Sequence, residues 1–180
     1  MSEAGSSVSP KWDPISLFFL VGQFVICAVW FVPEWSFSHL AEPGYVGMSG
    51  SGATVALILV SRALGAPRLE RFALAMFLIL MPAIYLAGWG LTDHGPGAWI
   101  EILGLVIFAT LTVLGLMISP WYLALGIIAH GAFWDLWHNE RVMTQHYIPN
   151  WYTIACFIAD VGVGVYACRT IRDWSREQPA

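Results

Sequence analysis

Apolar residues arrive in this chain as long blocks rather than as short alternating runs. Six blocks, at 15–33, 45–61, 72–91, 99–118, 120–138 and 150–168, each approach the roughly 20 residues that carry a helix across a bilayer's hydrocarbon core. The interruptions are rich in helix breakers. Pro33 and Glu42-Pro43-Gly44 mark the first, GAPRLER at 65–71 the second, and TDHGPG at 92–97 the third. The fourth and fifth blocks meet at Ser119-Pro120. Run together they would make about 60 Å of helix, far more than a bilayer needs, so a tight hairpin is expected there. Pro82 lies inside the third block and is expected to kink its helix.

Polar exceptions inside the blocks fall on single faces. At about 100° of rotation per residue, His130, Gly131, Trp134, Asp135, Trp137 and His138 share an arc of about 160° on the fifth helix. Ala129, Ala132, Phe133 and Leu136 lie opposite. On the sixth helix Thr153, Cys156, Asp160, Gly164 and Ala167 form one stripe, and Ile154, Ile158, Val161 and Val165 the other. Glu101, Gly104, Phe108, Thr112, Gly115 and Ser119 align on the fourth helix, and Ser16, Gln23, Cys27, Trp30 and Glu34 on the first. Small and polar residues on one face, branched aliphatics on the other, mark helices that face a bundle interior. The pattern predicts an all-α polytopic membrane bundle of about six transmembrane helices. Residues 14–169 form its single domain, between a disordered tail at 1–13 and a second tail at 170–180.

Composition strengthens the bilayer reading. Only 11% of the 180 residues are charged and 58% are hydrophobic, against about a quarter charged in soluble domains. The net charge of −4 supplies no basic patch, so nucleic acid is not an expected partner; membrane lipids are. Cys27, Cys156 and Cys168 all fall in apolar blocks, which points to packing rather than a disulfide framework. The first block lacks a positive leader and ends on bulky Trp30 and Phe31, so it reads as a retained span. With the N-terminus inside, Lys11, Arg62, Arg68, Arg71, Arg169, Arg172 and Arg176 are cytoplasmic and only Arg141 is not. Seven against one sets both termini in the cytoplasm of a bacterial inner-membrane protein.

That orientation sends His39, His94, His130, His138 and His146 to the outer half or outer loops, with Glu34, Glu42, Asp93 and Glu101. Depth divides the groups into two tiers. His130 lies about 12 Å and Asp160 about 15 Å below the outer helix ends, similar depths on antiparallel neighbours. They are expected to pair, because an unpaired charge there is costly. Asp135 and His138, three residues apart, can face one ligand nearer the surface with Glu101. Asp135, His138 and Glu101 are therefore candidate ligands for a divalent metal, zinc or iron, and His130, Asp160 and Asp135 candidate acid–base groups. Ten tryptophans enrich the chain, and Trp30, Trp89, Trp99, Trp134, Trp137 and Trp151 fall in the outer half. Trp gathers at bilayer interfaces in any case. Trp134 and Trp137 share the His130 face and, with Cys156, are candidate pocket residues.

The stretch H-x4-D-x2-H, then Ile148-Pro149-x-Trp151-Tyr152 and Cys156-x3-Asp160-x3-Gly164, resembles a signature of bacterial integral-membrane proteins of unassigned activity. The resemblance covers the last third of the chain and implies a membrane-embedded bundle with no activity attached. Five dispersed histidines do not match the clustered boxes of membrane fatty-acid hydroxylases and desaturases. The paired-histidine spacing of membrane ceramidase-like hydrolases is also absent, so no residue carries over from either. The expected function is a metal-assisted or acid–base enzyme acting on a lipid-like or isoprenoid-like molecule at an outward-opening pocket. The alternatives are a proton-coupled small-molecule transporter and a non-catalytic membrane subunit or scaffold.

Overall fold

Each helix begins and ends where local chemistry dictates. The computed structural model describes residues 12–31, 43–92, 98–139 and 150–176. Its elements are α1 (Pro14–Phe31), α2 (Pro43–Ala63), α3 (Pro67–Thr92), α4 (Ala98–Met117), α5 (Trp121–Ala129), a π-helical segment (His130–Asp135), α6 (Leu136–Asn139) and α7 (Asn150–Arg176). Proline opens α1, α2 and α3, at the position where its missing N–H costs nothing. Asp13 caps α1, accepting from the Ser16 amide at 3.0 Å and the Ser16 hydroxyl at 2.7 Å. α2 ends on Gly65 at φ 62°, with Ala66 N–H bonding the Ser61 carbonyl and Gly65 N–H the Arg62 carbonyl. This is a Schellman closure, and glycine suits its left-handed residue.

The second interruption is much shorter than the charge pattern predicts. Only Leu64, Gly65 and Ala66 separate α2 from α3, and Arg68, Leu69, Glu70 and Arg71 belong to the opening turns of α3. Glu70 and Arg71 are tolerated there because they have partners. Glu70 accepts from the Tyr166 hydroxyl and pairs with Arg62 at 3.6 Å. Arg71 donates through Nε to the Gly115 carbonyl at 3.1 Å and through Nη2 to the Leu116 carbonyl at 2.6 Å, filling acceptors at the end of α4. The hairpin at Ser119-Pro120 forms as expected, with Tyr122 N–H bonding the Ser119 carbonyl. α3 runs through Pro82 from Pro67 to Thr92.

α5, the π-helical segment and α6 follow without a break, so the described residues make six helical rods. α1 packs on α2 and α7, α2 on α3, α3 on α4, α4 on α5, and the α5–α6 rod on α7, which closes the ring; α3 also reaches α5 and α7. Arg62, Glu70 and Tyr166 meet at one end, where Arg71 holds the end of α4 and Arg169 Nε lies 2.8 Å from Asp13 at the start of α1. The buried stripes are the expected ones. Thr153, Cys156, Asp160 and Ala167 turn inward on α7 while Ile154 and Ile158 face out, and Glu101, Gly104, Phe108, Thr112 and Gly115 turn inward on α4. Among the described residues three stretches are long and apolar enough to cross a membrane: Pro67–Gly88, Ala98–Met117 and Asn150–Ile171. At 22, 20 and 22 residues they reach the roughly 30 Å of a hydrocarbon core. The described residues form no strand, and the protein is an all-helical membrane protein over them.

Candidate functional site

The site grows from a local departure in the fifth rod. In a regular α-helix five residues turn through about 500°, so His130 and Asp135 would sit about 140° apart. The rod is instead π-helical from His130 to Asp135, and bonds of the i→i+5 type set residues five apart about one turn above each other. His130 and Asp135 thus share a face, with Nδ1 of the imidazole 3.5 Å from Oδ1 of Asp135. α7 brings the third member: Asp160 Oδ2 lies 2.7 Å from the same Nδ1. α3 brings a fourth, for the Tyr85 hydroxyl donates to Asp135 Oδ1 at 2.8 Å. All four side chains are fully buried.

Two glycines permit this approach. A β-carbon at Gly131 would lie 2.7 Å from the Asp160 β-carbon, and one at Gly104 would lie 2.3 Å from the Trp134 ring. Aromatic rings line the surroundings. Phe108 meets His130 edge-on at 4.8 Å and Trp134 at 5.8 Å between centroids. Tyr152 meets Tyr85 edge-on at 6.1 Å. Cys156 is buried.

A second pair lies beside the first cluster. His138 Nδ1 is 2.7 Å from the Trp134 carbonyl and its Nε2 is 2.8 Å from Glu101 Oε1. A carbonyl only accepts, so Nδ1 carries a hydrogen, and the Nε2–Glu101 contact must itself hold a proton on one side or the other. The Tyr85 ring stacks on His138, tilted, at 4.2 Å between centroids. Tyr85 therefore touches both groups, one through its ring and one through its hydroxyl.

The expected His130–Asp160 partnership is present. The expected outer set is divided: Glu101 and His138 form the pair, while Asp135 joins the His130 tier, because the π-helical segment turns it inward. Trp134 is buried against Gly104, and Trp137 packs on it edge-to-face at 5.7 Å. Trp99 faces outward, 58% exposed. Glu34, His39, Glu42, Asp93, His94 and His146 lie outside the described residues, as do the side chains of Gln23, Cys27, Trp30 and Trp89. Sequence reasoning missed Tyr85. Its one signal was a hydroxyl in an apolar block, one turn beyond Pro82.

No family model, curated protein or solved structure matches this chain.

Proposed function

We propose that this protein is an integral-membrane enzyme whose reaction centre is the His130–Asp135–Asp160 cluster, acting by polar chemistry on a lipid-like molecule. The carrying observation is that two carboxylates, fully buried within a membrane bundle, converge on one nitrogen of a buried imidazole. Such groups are expensive in this setting and are kept there for function. Asp160 orients His130 through Nδ1, and Tyr85 holds Asp135. Trp134, Trp137 and Cys156 border the substrate side. The protein sits in a bacterial inner membrane with six crossings and both termini cytoplasmic. The positive-inside count supports that orientation, as does the gathering of Arg62, Arg71 and Arg169 at one end of the bundle.

The test is direct. Purified protein is reconstituted into liposomes of bacterial polar lipid, and the lipids are compared by mass spectrometry over time. A lipid species should be converted by the wild type and spared by Asp160→Asn. An unchanged lipid profile with the wild type would sink the enzyme reading.

One observation favours a second reading, a proton-coupled carrier. Glu101–His138, Tyr85 and the His130 cluster make a line of proton-bearing groups running inward from the start of α4. Proton flux into the same liposomes, dependent on Asp160, would favour it. If lipids and proton flux are both unchanged, the chain is a non-catalytic subunit.

A further inference from the structure

The three buried residues are short of partners and short of positive charge. Among the described residues His130 Nε2, Asp135 Oδ2 and Asp160 Oδ1 are buried with no hydrogen-bond partner. Two carboxylates bring two negative charges when ionised, and one imidazole can offset only one of them. Arg62, Arg71 and Arg169 are engaged at the other end of the bundle. Leaving such charges unbalanced in a low-dielectric interior is costly. One divalent cation would balance both carboxylates beside a neutral imidazole.

The geometry suits an ion. One ligand atom from each of His130, Asp135 and Asp160 lies within 4.8 Å of the other two, so side-chain rotation can close them on a metal at about 2.0–2.2 Å. The π-helical segment is what sets two of the three on one face. One nitrogen with two carboxylate oxygens is a donor set for zinc, ferrous iron or manganese.

We propose that His130, Asp135 and Asp160 form a divalent-metal site inside the bundle. The proposal rests on the reading that this cluster is functional. An imidazole nitrogen and one oxygen of each aspartate are the ligands, and Tyr85 is a positioning residue that orients Asp135 from outside the coordination shell. Glu101 and His138 are not ligands. Binding displaces the hydrogen bond between His130 and Asp160 and releases any proton the cluster held.

The experiment loads the full chain in detergent with zinc, manganese or ferrous iron alone, removes excess metal, and measures metal per chain by mass spectrometry. Size exclusion and circular dichroism check that each variant is folded. The wild type should hold about one equivalent. Asp135→Asn and Asp160→Asn, near-isosteric and folded, should lose affinity at least about tenfold, whereas Glu101→Gln and His138→Gln should retain it. Absence of retained metal and of a thermal shift with all three ions overturns the site, as does loss only in the Glu101 and His138 variants. Lipid conversion without metal would overturn this proposal and leave the enzyme reading standing. Stoichiometric metal with Asp160-independent conversion would do the reverse.

Discussion

A single hydrogen atom at Gly131 sets how closely the fifth rod can approach α7. Gly131→Ala places a methyl group 2.7 Å from the Asp160 β-carbon, and neither helix can give way cheaply. The expected cost is about 1–3 kcal/mol, read by detergent-titration unfolding, together with a loss of metal as large as that of Asp160→Asn. Unaltered stability and metal content would show that the two helices are not in contact there. Tyr85→Phe removes one hydroxyl bond to Asp135 and should cost about 1 kcal/mol in the same assay, with metal affinity lowered but not abolished. How legible these residues were varies for physical reasons. His130 and Asp160 could be matched from the sequence because helical rise fixes their depth and the polar stripes fix their faces. Tyr85 could not, since a tyrosine near the end of an apolar block is ordinary at a bilayer interface.

On the scale of elements, the π-helical segment amounts to one surplus residue in the fifth rod. Deleting Ala132 would make His130 and Asp135 neighbours at i,i+4, which a regular α-helix also sets on one face. The shortened rod should therefore fold with at least the parent's stability and keep its metal. Deleting the exposed Leu125 should instead rotate the cluster by about 100° and abolish binding. Retained thermal stability with retained metal, measured on both, separates the two outcomes. Sequence periodicity did not reveal the segment, because polar residues over nine positions fit a broad α-helical arc as well as a narrow π-helical one. The opening of α3 was hidden differently: its charges read as a loop until the partners on α2, α4 and α7 are seen. α1 carries a smaller test. The Ser16 hydroxyl, with its amide and Arg169, holds the Asp13 carboxyl below its ordinary range. A folded pKa lower than the unfolded one stabilises above the usual carboxylate range and is lost as pH falls through the folded value. Asp13→Asn should flatten the acid side of a stability-against-pH curve and leave the neutral side's slope unchanged.

Across the whole molecule the two ends carry different polar chemistry. The arginine end is clasped by Arg62, Glu70 and Tyr166, drawn from α2, α3 and α7. Arg62→Leu takes the cation from a buried glutamate and should destabilise by about 3–5 kcal/mol, while Arg62→Leu with Glu70→Leu should recover much of that. Unfolding titrations of the single and double variants check it; equal losses would mean the pair contributes nothing as a pair. The bundle itself was plain from six apolar blocks and a shortage of charge, since the bilayer leaves few alternatives to a helix. The clasp was not, because its members lie 96 residues apart between Glu70 and Tyr166 and no periodicity links them.

Arg71 bears on how the chain is assembled. Its guanidinium supplies the Gly115 carbonyl 44 residues later, next to the hairpin where the chain turns back into α5. Translation makes the donor before the carbonyl it serves, so this tie between the start of α3 and the end of α4 can form only once the fourth helix is complete.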